Sequence, residues 1–92
     1  MSVTVRIPGV LRRLTAGHDE VEVTGATVEE ALEAVGREHT GFLDRVRTGP
    51  GQARPFLNLF VNGQDIRFIG GLGTPVYEGD EISIIPSVAG GR

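Results

Sequence analysis

The sequence predicts an α+β fold in which one main helix packs across a mixed sheet of about four or five strands. Two stretches of alternating apolar and polar residues, 3–7 and 20–24, are typical of half-buried strands. An amphipathic stretch over 27–38 indicates the helix, and apolar runs at 56–61 and 81–85 indicate later strands. The resulting order of strand, strand, helix, strand, short strand, strand matches the β-grasp arrangement.

The first two strands lie close enough in sequence to pair as an antiparallel hairpin. The first strand alternates Val3, Val5 and Ile7 with polar residues and is broken by Pro8-Gly9. The second strand, Glu20–Thr24, follows after a loop and alternates in the same way. Each strand therefore offers one apolar face to a core.

The helix has a recognisable start and one apolar stripe. Thr27 with Glu30 three residues later forms a capping-box pattern, in which each residue's side chain satisfies a free backbone N–H at the helix start. The stripe follows at helical spacing and consists of Val28, Ala31, Leu32 and Val35. Thr40-Gly41 is expected to stop the helix.

The second half of the chain is punctuated by glycine and proline. Residues 48–55 predict an exposed loop, and Asn62-Gly63 predicts a tight turn into a short return strand, Gln64–Phe68. Glu78-Gly79-Asp80 turns into the last strand, which Pro86 ends. We expect the first and last strands to be central and parallel. This divides the chain into a β-grasp domain, 1–86, and a flexible C-terminal tail, 87–92.

Composition excludes several classes of function. The 92 residues carry a formal net charge of −3, which argues against broad binding of nucleic acid because that requires clustered positive charge. The chain has no cysteine, which excludes disulfides, a thiol nucleophile and a thiolate metal site. All nine basic residues are arginine, so there is no phosphate-loop lysine and no Schiff-base lysine.

The sequence also predicts a cytoplasmic protein that does not enter a membrane. Its opening residues lack the apolar run of a signal peptide. No stretch approaches the roughly 18 apolar residues that span a bilayer. We expect a monomer when the protein is free.

Conventional catalytic and ligand sites are weakly indicated. His18 and His39 lie far apart and would need carboxylates brought by folding to hold a metal, so no metal site is predicted. The stretch 70–74 is rich in glycine but lacks the lysine of a phosphate loop. The basic pair Arg12-Arg13 is either a solvated loop pair or a point of partner docking, and the sequence leaves both open. The acidic residues of the helix are most simply its solvated face: Glu29, Glu30 and Glu33.

The C-terminal tail is the best candidate for chemistry. Gly90-Gly91 stands one residue from the end, shortly beyond the last strand. Because glycine lacks a Cβ atom, such a tail can thread a narrow channel and adopt backbone angles closed to other residues. The terminal carboxylate could then reach a reactive centre inside a partner.

These features resemble the ThiS/MoaD family of ubiquitin-like sulfur carriers. The most specific stretches are 60–67, with its Val-Asn-Gly turn, and 78–91, with Gly-Asp before the last strand and a Pro-x-x-Ala-Gly-Gly ending. The opening 5–12 and the segment 65–72 are most similar to the CysO-type carriers of cysteine biosynthesis. The resemblance implies that the chain is a carrier and co-substrate, not an enzyme, and binds no cofactor of its own.

The family mechanism assigns the tail its role. An E1-like adenylyltransferase, using ATP and Mg, would convert the Gly91 carboxylate to an acyl-adenylate, and sulfur would displace AMP to leave a thiocarboxylate. Gly90, Ala89 and Val88 would thread the partner. A cysteine synthase-like enzyme would accept the sulfur, and a metalloprotease would trim the tail or release the product.

Docking of the body is also implied. Ordering about five tail residues costs roughly 5–10 kcal/mol of backbone entropy, so the tail needs support from the body. Phe60 and Phe68 are the candidate docking residues, although packing in the core is the simpler expectation for each.

Arg92 departs from the family ending and blocks activation of Gly91 while it remains. Either a peptidase removes it or it is foreign to the natural protein.

Three other functions are compatible with the same fold. The chain could be a protein modifier attached through Gly91 to lysines of other proteins. It could be the small subunit of molybdopterin synthase, held in a lasting complex with a large subunit. It could be an interaction domain with an idle tail.

Overall fold

The computed structural model describes residues 2–87, which form a five-stranded mixed sheet crossed by one main helix. The strands of that sheet are β1 (Ser2–Arg6), β2 (Glu20–Thr24), β5 (Leu57–Val61), β6 (Gln64–Asp65) and β7 (Glu81–Pro86). Outside it lie helices α1 (Val28–Glu38) and α2 (Phe42–Val46), and the small hairpin of β3 (Arg47–Gly49) and β4 (Gln52–Ala53). Short 3-10 helices cover Gly9–Thr15, Ile66–Phe68 and Gly71–Gly73.

Strand β7 is the centre of the sheet. The order is β2-β1-β7-β5-β6, with β1 parallel to β7 and the remaining neighbours antiparallel. Ser83 pairs with Arg6 on one side and with Phe60 on the other. The expectation of central, parallel first and last strands is confirmed, and with it the β-grasp fold.

The core lies between α1 and one face of the sheet. The predicted helical stripe is buried, with each of its four residues fully covered. It packs against the inward residues of the central strands: Val3, Val5, Leu59, Ile82 and Ile84. Since side chains alternate along a strand, the residues between them form the opposite, open face.

The start of α1 has the predicted capping box. Thr27 Oγ1 accepts the Glu30 N–H at 3.1 Å, and Glu30 Oε1 accepts the Ala26 N–H at 2.9 Å. The returning bond thus reaches the residue before the cap. The helix ends at Glu38, and His39 is its C-cap residue.

Two local predictions are wrong. Residues 48–55 contain parts of the β3–β4 hairpin instead of a plain loop, because Gly51, at φ +76°, allows a tight turn there. The return strand ends at Asp65 and does not reach Phe68. Asp65 Oδ1 accepts the Arg67 N–H at 2.9 Å, which starts a 3-10 turn and places Ile66 in the core.

Two short helices that the sequence did not predict complete the core. Helix α2 contributes Phe42 and Val46, both fully buried, and the 3-10 helix Gly9–Thr15 contributes Leu11. Each is too short for an apolar period to be recognised in the sequence.

Candidate functional site at the C-terminal end of β7

The predicted threading and reactive residues lie outside the described part of the chain: Val88, Ala89, Gly90, Gly91 and Arg92. The structure does describe where the tail is attached. The Ser87 N–H donates to the Phe56 carbonyl at 2.8 Å, and Asn58 Nδ2 donates to Ser87 Oγ at 2.9 Å. Ser87 is therefore fixed beside β5, at the end of the central strand.

This attachment sets the reach of the tail. Gly91 is the fourth residue after Ser87, and an extended chain gains at most about 3.6 Å per residue. The Gly91 carboxylate can therefore lie no more than about 14 Å beyond Ser87.

The open face of the sheet carries one of the two predicted docking residues. Phe60 is half-buried there and pairs with Ser83 across the sheet, while its neighbours Leu59 and Val61 point into the core. Phe60 thus does not belong to the buried core, contrary to the simpler expectation from sequence. Arg6 lies on the same face, ion-paired with Glu20 and with Glu81.

Phe68, the other predicted docking residue, is even more accessible. It follows β6 at the edge of the sheet, and 81% of its surface is exposed. The guanidinium carbon of Arg67 lies 5.7 Å from the centre of its ring, a cation–π arrangement. A phenylalanine so exposed buries little apolar surface and contributes little to the core.

Arg67 is also paired with Asp65. Its Nη2 lies 2.6 Å from Asp65 Oδ2, and its Nε lies 3.1 Å from Asp65 Oδ1. The guanidinium and the Arg67 N–H together lower the pKa of Asp65 from its ordinary value of 3.8. The pair holds the turn that presents Phe68.

One cleft is lined by the end of β7, and a second lies beside the start of the neighbouring strand β5. On the β1 side, a cleft of about 300 Å³ is lined by Ile7, Pro8, Arg12, Ile85 and Pro86 among others. On the β5 side, a cleft of about 270 Å³ is lined by Ala53, Arg54, Pro55, Leu57 and Leu59 among others. Pro86 pairs with Leu57 across β7 and β5, so the point where the tail leaves the body lies between the two clefts.

The carboxylates of α1 have a role that the sequence did not indicate. Arg47 Nη1 donates to Glu29 Oε2 at 2.6 Å and to Glu33 Oε2 at 2.9 Å. Glu29 Oε2 also accepts the Gly51 N–H at 2.7 Å. These contacts tie the β3–β4 hairpin to α1, so Glu29 and Glu33 are structural residues and not merely a solvated face. Their spacing of four residues was the available signal, but nothing in the sequence pointed to Arg47.

Within residues 2–87, no group of three or more histidine, aspartate or glutamate side chains is placed to hold a metal ion. His18 and His39 lie in separate parts of the fold, in a turn before β2 and at the end of α1. In the same described residues, no helix has both the length and the apolar character needed to cross a membrane.

Comparison with known proteins covers both the body and the tail. Residues 5–91, from β1 to the second tail glycine, match the ThiS family. The chain belongs to the ThiS family. It is a sulfur carrier protein of that family, not an enzyme.

Its relatives share the whole fold. The sulfur carrier protein CysO of Mycobacterium tuberculosis is 39% identical over 93 residues, which cover 99% of this chain and 100% of that protein. The crystal structure of the Amycolatopsis orientalis BexX/CysO complex contains a chain that is 44% identical, with a TM-score of 0.89. The match covers 97% of this chain and 99% of that one.

A relative of another kind is also similar. The solution structure of the small archaeal modifier protein 1 from Methanosarcina acetivorans has a TM-score of 0.84 and 27% identity. The match covers 98% of this chain and 96% of that one. Carriers and modifiers therefore share this body, and the fold alone does not separate the two functions.

Proposed function

We propose that this carrier holds sulfur as a thiocarboxylate on Gly91. The Gly91 carboxylate attacks the α-phosphate of ATP on an E1-like enzyme that uses Mg, and pyrophosphate leaves. A sulfur nucleophile then attacks the acyl-adenylate, and AMP leaves with its bonding electrons. Adenylation is needed because a carboxylate is a poor electrophile, whereas a mixed anhydride has a good leaving group.

The observation that carries this proposal is the anchoring of Ser87 at the end of β7, from which the sequence continues to Gly90-Gly91. Ser87 is fixed to β5, and the Gly90-Gly91 pair follows within about 14 Å. The body offers a firm attachment, while the two glycines suit a narrow channel in a partner. The chain has no cysteine, so a terminal thiocarboxylate is the means by which it can hold sulfur covalently.

Phe60 and Phe68 are proposed to dock the body on the activating enzyme. Phe68 extends its ring from the sheet edge, and Phe60 lies on the open face. Replacing the exposed ring, Phe68→Ser, is expected to raise the KM for the carrier without changing kcat, because it removes binding and not chemistry. An unchanged KM would remove Phe68 from the docking surface.

The proposed acceptor of the sulfur is an activated serine derivative on a cysteine synthase-like enzyme. The thiocarboxylate sulfur would form a bond to the serine Cβ as the activating group leaves, and the Gly91 acyl group would then move from sulfur to the amino group of the new cysteine. A metalloprotease would hydrolyse that amide, which releases cysteine and restores the Gly91 carboxylate. The support is the identity of 39% to 44% with proteins named CysO, extending over nearly the entire chain. The decisive test is whether purified thiocarboxylate carrier and such a synthase form cysteine attached to Gly91.

Arg92 places a condition on the mechanism. A carboxylate on Arg92 lies one residue too far along, so we propose that a peptidase exposes Gly91 before activation when Arg92 is present. ATP–pyrophosphate exchange with the E1-like enzyme tests this directly. The form ending at Gly91 is expected to support exchange and the 92-residue form is not, whereas equal exchange by both forms would refute the requirement.

A second candidate function is protein modification, because the chain is similar to a small archaeal modifier protein. Arg67 is the last arginine before Gly91, so trypsin would leave the segment 68–91 attached to an acceptor lysine. Finding that branched peptide in lysates would favour a modifier. A third candidate, the small subunit of molybdopterin synthase, predicts a lasting complex with a large subunit on size-exclusion chromatography.

A further inference from the structure

The arginines at the base of the tail form a second binding feature. We propose that Arg12 and Arg54, here called the tail-base arginines, dock on carboxylates that rim the channel into which a partner takes the tail. This inference rests on the proposed function, since it requires an activating partner. It specifies that the partner's surface carries acidic side chains, with one group on each side of the channel entrance.

The two arginines line different clefts, one beside β7 and one beside the start of its neighbour β5. Arg12 lines the cleft on the β1 side together with Pro86. Arg54 lines the cleft on the β5 side together with Leu57, the residue that pairs with Pro86. A partner that receives the tail must approach this end of β7, so it meets both clefts.

Both guanidinium groups are held in place by the body. Arg12 Nε donates to the Ile7 carbonyl at 3.0 Å, and Arg54 Nε donates to the Asp44 carbonyl at 2.9 Å. A guanidinium has five N–H donors, and the four terminal N–H groups of each arginine make no hydrogen bond to residues 2–87, so they are available to another ligand. Fixing the side chain beforehand reduces the entropy lost on binding.

The charges of the tail-base arginines are not neutralised by the described part of the chain. Within residues 2–87, neither arginine has an ion pair within 4.0 Å, although Asp19 lines the same cleft as Arg12. By contrast, Arg6, Arg47 and Arg67 each pair with a carboxylate. The planar fork of arginine suits carboxylates, which it can bind with two parallel hydrogen bonds.

The reach of the tail favours a protein carboxylate over the phosphates of ATP. When the tail is extended, the Gly91 carboxylate and the nucleotide that reacts with it lie about 14 Å beyond Ser87. The tail-base arginines lie beside the start of the tail, at the mouth of the channel and not at its end. Groups at the mouth belong to the partner's surface.

The test compares two double variants of the form ending at Gly91. Arg12→Glu with Arg54→Glu reverses both tail-base charges. Arg37→Glu with Arg45→Glu makes the same change in net charge on exposed residues of α1 and α2, and serves as the control. The KM for the carrier and kcat are measured by ATP–pyrophosphate exchange with the E1-like enzyme, at about 20 mM and about 200 mM salt.

We expect the tail-base variant to raise KM about tenfold or more at low salt with little change in kcat, and the control to change KM by less than about twofold. Added salt should raise the KM of the unmodified form more than that of the tail-base variant. A neutral pair, Arg12→Gln with Arg54→Gln, should fall between these, and thermal unfolding of each variant checks that the body is intact.

The outcomes separate the two proposals. Equal KM values for the tail-base and control variants would overturn this inference alone and leave the tail mechanism standing. A large effect on KM that does not depend on salt would also overturn it, because the contact would not be electrostatic. Absence of exchange by the unmodified form would overturn the proposed function itself.

Discussion

Asp65 and Arg67 show how single residues shape the edge of this carrier. The Asp65 carboxylate accepts the Arg67 N–H at 2.9 Å and binds the guanidinium of the same residue, with the shortest contact at 2.6 Å. The guanidinium in turn lies against Phe68. One carboxylate thus holds both the backbone turn and the side chain that flank the exposed ring.

The lowered pKa of Asp65 predicts a stability that depends on pH. Because the folded pKa lies below the unfolded one, ionised Asp65 stabilises the fold fully above about pH 4, and this contribution is lost as the pH falls through the folded pKa. Asp65→Asn should therefore be less stable than the unmodified protein at pH 7. Urea unfolding at several pH values should show the difference shrinking in acid, and a constant difference would contradict the account.

A suitable control for that series is Asp44→Asn. The Asp44 side chain is exposed and accepts no hydrogen bond from residues 2–87. Its variant makes the same change of charge without removing a hydrogen bond within residues 2–87, so its free energy of unfolding at pH 7 should stay close to that of the unmodified protein.

Gly25 illustrates a residue whose size is fixed by packing. A Cβ atom at this position would lie 2.8 Å from the backbone nitrogen of Ala31 in α1, closer than carbon and nitrogen tolerate. Gly25→Ala is expected to destabilise the fold by about 1–3 kcal/mol, because the backbone must shift. Gly9→Ala meets nothing within 4 Å and should stay within about 0.5 kcal/mol, as measured by urea unfolding. Equal stability of the two variants would refute this explanation.

At the scale of elements, α1 organises the body through its ends and its sides. Its first turn is bound to the segment before β7, since the Val28 N–H donates to the Thr74 carbonyl at 2.9 Å. Its acidic side holds the β3–β4 hairpin through Arg47. The helix therefore connects parts of the chain that are distant in sequence. Loss of a contact at its start should lower the stability of the whole fold and not of the helix alone.

The cap of α1 predicts a specific cost. Thr27→Ala removes the hydroxyl that accepts the Glu30 N–H and should lower the free energy of unfolding by about 1 kcal/mol. Thr27→Ser keeps that hydroxyl and should retain most of the stability. Chemical denaturation distinguishes them, and an equal loss in both variants would show that the methyl group, and not the cap, is responsible.

At the scale of the whole molecule, the sequence was sufficient for the long elements and for their order. Alternation over 3–7 and the stripe of α1 follow directly from the burial of one face, which any β-grasp body must have. The short elements were not predicted because tertiary contacts, and not a local sequence pattern, determine their conformation. Phe42 is buried by the surrounding core, and Ile66 is turned inward by the Asp65 cap, neither of which has a local pattern.

The candidate functional site likewise has one part that the sequence predicts and one part that only the fold brings together. The Gly90-Gly91 ending is a local motif that the sequence displays. The tail-base arginines and the two clefts depend on the meeting of 7–12, 53–59 and 84–86 in space. No residue spacing along the chain predicts that these three segments lie close together. From the sequence, Arg12 and Arg13 were equal candidates for docking. The fold distinguishes them, because Arg12 lines the cleft beside Pro86.

The most direct test of the central claim is the intact mass of the carrier after incubation with ATP, sulfide and the E1-like enzyme. The form ending at Gly91 is predicted to gain about 16 Da, as one carboxylate oxygen is replaced by sulfur. The 92-residue form is predicted to gain nothing. No gain in the form ending at Gly91, with an enzyme that activates another carrier in parallel, would contradict the thiocarboxylate mechanism.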